Sequence, residues 1–460
     1  MIRCLAMILL TVLIATGVLA QPARRIKPPH ILLIGIDTWR GDHLGCTGNE
    51  WIQTPHLDAL AADGVAFSRC YATAPWTLPS FASIFTGLLP NRHGAVGGAY
   101  QKLGDDHHTL TEYLSVAGYE TSGYVSINYL SPPFGMGQGF TGITPDGLDP
   151  ALDRAERITW LGLETLRVRD LSQPNFLFLH YFDVHAPYDP PAPYTRMYYQ
   201  GDELAPGTTV LDFVRSEKNR ASNRDTEMYD WLGDVTDPEF VVKEYAAGVS
   251  YVDDHVGQLI AFLKQQGIYD RMMIIVVSDH GEHLGEHDLW YTHAEPWEEC
   301  IHVPLIMKLP NNAYSGQVFD TPVSTLDMMP TVLDIMMLRA PDVDGRSLLP
   351  LIAGQTTGHR TQLISEQGAS PENYMKTLID WPWKLMVVRK DGTSESRLFN
   401  LNADPEEKMD LAQKHEAKLR QMERRLWRVI DPDSPIVENR SPIAADVDDA
   451  TRQKLEALGY

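Results

Sequence analysis

Met272-Met-Ile-Ile-Val-Val277 is a short apolar run that leads directly into Ser278-Asp279-His280. Its length and its β-branched residues mark a strand buried on both faces. Two other runs share the pattern. His30-Ile-Leu-Leu-Ile-Gly-Ile36 stops at Asp37, and Asn175-Phe-Leu-Phe-Leu-His180 stops near Asp183 and His185. A fourth, Val303-Pro-Leu-Ile-Met-Lys308, follows a His-rich stretch. Helical patterns separate the runs, at 55–62, 110–117, 151–168, 240–266 and 325–337. Strands alternating with helices predict an α/β fold, a large and mainly parallel sheet sandwiched by helices. Ligands gather at the carboxyl ends of strands in such sheets, and three of these runs end in Asp or His.

After Gly354 the pattern changes. Trp383-Lys-Leu-Met-Val-Val-Arg389, a turn at Asp391-Gly392 and Arg397-Leu-Phe-Asn-Leu401 read as an antiparallel hairpin, followed by a helix from Glu406 to Ile430. The expected organisation is a catalytic α/β domain over 27–354 and a small C-terminal α+β subdomain and tail over 355–460. Residues 186–237 are rich in Pro, Tyr, Asp and Asn without a clean period. They read as a surface insertion that shapes a substrate pocket.

The chain opens with Met1-Ile2-Arg3, an apolar run from Leu5 to Leu19, and small residues before Gln21. Residues 1–20 therefore read as a secretory signal peptide. The run is short for a membrane span, and no second run of membrane length occurs. An exported protein, periplasmic or secreted, is expected, with no stable membrane span beyond its leader. The 39 Lys+Arg against 61 Asp+Glu give a net charge of −22. A nucleic-acid partner needs a basic footprint, so none is expected. Cys46, Cys70 and Cys300 lack CxxC spacing and read as buried thiols, with one disulfide at most.

Four groups of residues carry chemistry. Asp37, at a strand end, offers a hard oxygen ligand for a divalent cation. Thr77, two residues before Pro79 in Thr77-Leu-Pro79-Ser80, falls at the start of a helix. A hydroxyl there faces the positive end of the helix dipole, which favours anions and an alkoxide. An isolated T-x-P-S is more often a plain helix cap. Asp279-His280 presents one carboxylate and one imidazole to a metal, a mix that suits Zn²⁺, Mn²⁺ or Ca²⁺. His293 follows closely, while His283 and His287 read as structural. Asp183 and His185, two apart, share a side if the segment is extended.

Taken together, these segments resemble the sulfatase family of the alkaline-phosphatase superfamily. The resemblance runs through Gly35-Ile-Asp37-Thr-Trp-Arg40-Gly-Asp42, Thr77-Leu-Pro-Ser80 with Thr86-Gly87, and Asn91-Arg-His93-Gly94. It continues in Asp183-Val-His185-Ala-Pro-Tyr188, Ser278-Asp-His-Gly-Glu282, Val303-Pro-Leu305, Asp344-Gly-Arg-Ser347 and Leu398-Phe-Asn-Leu401 through Asp404-Pro-Glu-Glu-Lys408 to Asp410-Leu411. It implies an exported, metal-dependent hydrolase of sulfate or phosphate esters with Thr77 as nucleophile. The implied substrate is a small anionic ester, such as a sulfated or phosphorylated carbohydrate.

The departures from the family pattern fall around the nucleophile. The family has Cys or Ser, oxidised to formylglycine, where this chain has Thr77, and threonine cannot yield that aldehyde. Phe81 replaces the family's Arg, Thr38 its second Asp, and Thr292 the Lys before His293. The Lys-x-His motif is missing from 123–131. Asp37, Thr77, Asp279 and His280 also resemble one metal site of the superfamily branches with a threonine nucleophile. Those branches carry a second metal, for which Asp183, His185 and His293 are the candidates. One or two ions of Ca, Mn or Zn are thus implied, with His185 or His293 protonating the leaving group. Two alternatives remain: a transferase passing a phosphoryl group to a sugar or lipid, and a non-catalytic binding protein on the same scaffold.

Overall fold

Ile31–Ile36 (β1) is buried along its whole length, and its side chains alternate between two cores. Ile31 and Leu33 enter one apolar cluster, whereas Leu32, Ile34 and Ile36 enter the other. A strand that feeds both cores lies at the centre of a covered sheet. The computed structural model describes residues 28–96, 101–143, 154–205, 211, 230–293, 295–355, 360–368, 370 and 372–430. The signal peptide expected over 1–20 and the end of the tail lie outside them.

The main sheet adds Val65–Tyr71 (β2), Glu120–Tyr124 (β3), Gly142–Ile143 (β4), Asn175–Tyr181 (β5) and Met273–Ser278 (β6). A two-stranded ribbon of His283–Leu284 (β7) and Trp290–Thr292 (β8) stands apart. His302–Lys308 (β9), Gln317–Phe319 (β10) and Val323–Ser324 (β11) complete the main sheet. Its order is β10-β2-β9-β6-β1-β5-β3-β4, with β11 also pairing with β2. Pairings are parallel except those of β9, which runs antiparallel to β2 and β6. The mainly parallel, helix-covered sheet is as expected.

Helices cover both faces. Thr77–Thr86, Leu110–Val116 and Met328–Ile335 pack on one face, and Pro55–Asp63, Ala155–Val168 and Pro238–Gln265 on the other. Gly35 sets how closely the first of these helices approaches. A Cβ at Gly35 would stand 2.6 Å from Cζ of Phe81, so only glycine admits the Phe81 ring over β1.

The C-terminal sheet is antiparallel, in the order Leu363–Gln367 (β12), Tyr374–Asp380 (β13), Trp383–Lys390 (β14) and Thr393–Asn400 (β15). The hairpin read from sequence is its second half. The following helix starts later than expected, at Glu416 instead of Glu406. Asp404 accepts from the backbone N–H of Lys408 and Met409, and Asp410 accepts from Leu398 and Ala412. Side chains that satisfy nearby backbone donors hold turns in place of a helix. Glu407 is instead drawn into a buried ion pair with Lys384 at 2.9 Å.

The described part of the 186–237 insertion uses its aromatic residues for packing. Tyr188 packs edge-on to Trp231, Tyr245 and Tyr291. Tyr198 accepts from the Gln53 backbone N–H and meets the Ser250 hydroxyl at 2.6 Å. Cys46, Cys70 and Cys300 are free, the last two buried.

Candidate active site

β1, β5 and β6 are neighbours, so their carboxyl ends converge. Asp37 follows β1, and its N–H donates to the Tyr181 carbonyl at the end of β5. The next residue turns sharply. Thr38 has φ 51°, the left-handed region, which is costly for a β-branched residue. Tyr245 holds the turn: its hydroxyl donates to the Thr38 carbonyl at 2.7 Å and accepts from the Arg40 N–H at 3.0 Å. Replacing Tyr245 with phenylalanine leaves both groups without that partner. It is expected to lower stability by roughly 1–3 kcal/mol, read from urea midpoints.

Ser278 ties the tips of β1 and β6 together. Its hydroxyl accepts from the Trp39 N–H at 3.0 Å and donates to the His280 carbonyl at 2.6 Å. Ser80, on the Thr77–Thr86 helix, donates to the Asp279 carbonyl at 2.6 Å. The helix that begins at Thr77 is thereby fastened to the Asp279-His280 turn. Arg40 braces the loop beyond it, reaching Glu286 at 2.7 Å and the Glu282 carbonyl at 3.2 Å.

Asp37, Thr77, Asp279 and His280 come together at this junction, and all four are fully buried. The His280 Nδ1–H donates to the Gly281 carbonyl at 2.9 Å, which fixes the tautomer and leaves Nε2 as the lone-pair nitrogen. The Thr77 hydroxyl lies 3.3 Å from that Nε2. His280 Nε2 is also 3.4 Å from Asp279 Oδ2 and 3.8 Å from Asp37 Oδ1. The arrangement meets the geometric requirement for a nucleophile beside a base.

Burial pushes the Asp37 carboxyl up to about 8, with the Thr38 N–H and Thr77 hydroxyl pulling the other way. Burial and the neighbouring Asp37 charge push Asp279 well above the carboxylate range. Burial lowers His280 to about 3 and His180 and His185 to about 4. These imidazoles are therefore neutral, the form that binds metals. Among the described residues, no lysine or arginine forms an ion pair with Asp37 or Asp279.

Both Asp37 oxygens and Asp279 Oδ2 are buried without a well-formed hydrogen bond. Buried carboxylates are paired or coordinate metals. Two ligands about 2.1 Å from one ion stand about 3.4 Å apart in a tetrahedral shell, close to the separations above. The residues present thus fit a divalent cation.

His185 and His293 adjoin this group. The His293 ring lies 4.3 Å from that of His280 and 5.4 Å from that of His185. His185 donates its Nδ1–H to the Ala186 carbonyl at 2.7 Å, and His293 donates its Nδ1–H to the Pro75 carbonyl at 3.1 Å. Asp183 has a separate task, its Oδ1 accepting from the Ala155 N–H at the start of the Ala155–Val168 helix at 3.1 Å. Burial still pushes Asp183 up to about 7. His283 and His287 lie elsewhere: His283 meets Glu299 at 2.8 Å, and His287 stacks on Trp297 at 3.7 Å. The nearby Glu286 and Glu407 are already paired with Arg40 and Lys384.

One residue at the site was not singled out from sequence. His180 is fully buried, with Nε2 3.4 Å from Asp37 Oδ2. The signal was present: His180 follows the apolar run 176–179 near the end of β5, much as Asp37 and Asp279 follow β1 and β6.

The chain is similar to known proteins over most of its length. The model of the family described as "Sulfatase" matches residues 29–338. A model described as "N-sulphoglucosamine sulphohydrolase, C-terminal" matches residues 285–431. An arylsulfatase of Clostridium perfringens is 28% identical over 449 residues, covering 85% of this chain and 92% of that protein. A protein solved with its substrate D-glucosamine-2-N,6-O-disulfate superposes with a TM-score of 0.74 at 21% identity, covering 90% of this chain and 100% of that one. A phosphonate monoester hydrolase of Agrobacterium radiobacter superposes with a TM-score of 0.71 at 20% identity, covering 87% and 95%. Members of this family typically bind a divalent metal, and the buried acid–imidazole group here is able to hold one. A family-model match over residues 29–338 and the arylsulfatase likeness over 85% of the chain lead to one conclusion: the chain belongs to the sulfatase family, whose members are ester hydrolases.

Proposed function

We propose that the protein is an exported, metal-dependent hydrolase of small anionic esters that uses Thr77 as its nucleophile, with phosphate-type esters preferred over sulfate. The observation that carries this reading is the Thr77 hydroxyl, 3.3 Å from His280 Nε2 at the first turn of a helix. A helix N-terminus favours the anionic group under attack.

Threonine decides the preference. A sulfated formylglycine hydrate releases sulfate by collapsing to the aldehyde. A sulfated threonine has no such exit, whereas a phosphorylated threonine is cleared by attack of water at phosphorus.

Asp37, Asp279, His280 and the Thr77 oxygen would hold the cation. When bound, the ion supplies Lewis acidity that lowers the pKa of the hydroxyl and neutralises ester oxygens. The rest falls to the chain. Thr77 is positioned for in-line attack, and because His280 Nε2 would be committed to the cation, the hydroxyl proton leaves to water or to one of the neighbouring imidazoles. His185 and His293, with Nδ1–H committed to carbonyls, present Nε2 as an acceptor. They are suited to carry the proton that Thr77 releases to the leaving alkoxide and then to receive one from the water that clears the phosphorylated threonine, or else to hold a second cation. The leader 1–20 supports export, and among the described residues no helix is long and apolar enough to cross a membrane. A sulfated or phosphorylated sugar is the substrate class most in keeping with the relatives.

The test is a panel of chromogenic phosphate monoesters, phosphate diesters, phosphonate monoesters and sulfate esters, each with added Mn²⁺, Zn²⁺ or Ca²⁺. Faster turnover of a phosphorus ester than of the sulfate ester is expected. A sulfate ester as the best substrate would overturn the preference, and silence throughout would favour a binding protein.

A further inference from the structure

His180 is the second-to-last residue of β5, paired in register with Gly35 of β1. With no side chain at Gly35, the His180 ring meets Phe81 edge-on at 5.3 Å and Phe178 at 6.3 Å. Those aromatic rings leave it little freedom. Both ring nitrogens are buried, and neither makes a hydrogen bond. Nε2 stands 3.4 Å from Asp37 Oδ2, and ligand atoms of Asp37, His180 and Asp279 all lie within 4.8 Å of one another.

A buried imidazole with no hydrogen bond is costly unless something satisfies it. At 3.4 Å from a carboxylate oxygen it is too far for a strong hydrogen bond. That separation is instead the spacing of two ligands around one small ion. One ligand atom from each of Asp37, Asp279 and His180 lies within 4.8 Å of the other two, so a single cation among them would take one donor from each.

We infer that His180 is a ligand of the metal at the Thr77 site, and that it tunes the site toward Zn²⁺ or Mn²⁺ and away from Ca²⁺. This inference rests on the metal-dependent reading above and deepens it. Imidazole nitrogen favours the transition metals, whereas Ca²⁺ takes oxygen ligands. With His280, the site gains a second nitrogen donor. The position at residue 81 contributes too, since Phe81 buttresses the imidazole with an uncharged ring.

Selectivity separates a ligand from a residue that only positions Asp37. The purified full-length chain is stripped with a chelator, and Zn²⁺, Mn²⁺ and Ca²⁺ are titrated against it by competition with metal-buffering dyes. His180→Asn and His180→Ala are measured alongside Asp279→Asn. For a ligand, His180→Asn weakens Zn²⁺ by at least ~100-fold while Ca²⁺ changes less than about 3-fold, so the preference for zinc collapses. The retained Ca²⁺ binding also shows that the variant is folded. Equal losses for every ion in His180→Asn would make His180 a positioning residue and overturn the inference, as would an unchanged Zn²⁺ affinity. If the unmodified protein binds no divalent ion, the metal-dependent reading itself fails. If Asp279→Asn alone loses the metal, only the role of His180 fails.

Discussion

Thr77→Ala is expected to lower turnover of the best ester substrate by at least ~10³-fold, the scale seen when a nucleophile is removed from a site that otherwise still binds. The change removes the one hydroxyl that meets His280 Nε2 at 3.3 Å and keeps the helix it starts. Thr77 has no role as a conventional cap: the N-cap is Trp76, and no side chain caps the helix. Thr77 is fully buried, so losing its methyl and hydroxyl should cost about 1–2 kcal/mol, a loss that leaves the protein folded and that urea midpoints separate from lost activity. Thr77→Ser separates the hydroxyl from the methyl group and should keep most of the activity. Steady-state rates and urea midpoints of both variants check the pair. Full activity in Thr77→Ala would remove Thr77 from the mechanism.

Removing the metal should destabilise the protein, and more so at alkaline pH. Without a cation, burial holds the folded Asp37 carboxyl at about 8 against an ordinary 3.8, and Asp279 is raised as well. The folded state then binds more protons than the unfolded state, so stability falls as pH rises from about 4 to about 8. A bound cation reverses this trend, because it competes with protons and its affinity climbs over the same interval. Loaded and stripped protein should melt alike near about pH 5 and diverge near about pH 8.5, by about 3 kcal/mol at an ion concentration ~100-fold above Kd. Thermal melts in chelator and in excess Mn²⁺ or Zn²⁺ at the two pH values give the comparison. An equal gap at both would show that the ion does not compete with protons for these carboxylates.

The clearest parts of the site in the sequence were carboxylates and imidazoles close after an apolar run, whereas Thr77 was legible from the Pro79 that follows it at a helix start. Asp37 alone would read as an ordinary turn or cap residue, and it stands out with Asp279-His280 because several buried strands finish in Asp or His. His180 has the same signal but sits inside β5, where one histidine after Phe-Leu-Phe-Leu is hard to distinguish from a core residue. Its role depends on lying beside Gly35 across the sheet, a relation between residues far apart in the chain. β2 was not read from sequence because Val-Ala-Phe-Ser-Arg-Cys-Tyr carries two polar residues and a register shift between Phe67 and Cys70. The direction of β9 was also out of reach. Among the described residues, the ribbon, a 3-10 turn at Glu286–Asp288 and the short helix Glu298–Ile301 lie between β6 and β9, in place of the long crossover helix that a parallel connection needs. In the C-terminal subdomain the hairpin was legible from its turn, whereas the start of the last helix was set by Asp404 and Asp410 bonding to the backbone.

Anomalous X-ray scattering from crystals grown with Zn²⁺ or Mn²⁺ tests the central claim most directly. The account predicts a strong peak enclosed by Asp37, Asp279 and His280, within ligand distance of the Thr77 oxygen. A peak bound only elsewhere, or a Thr77 hydroxyl turned away from an ion held by the other three, would contradict it.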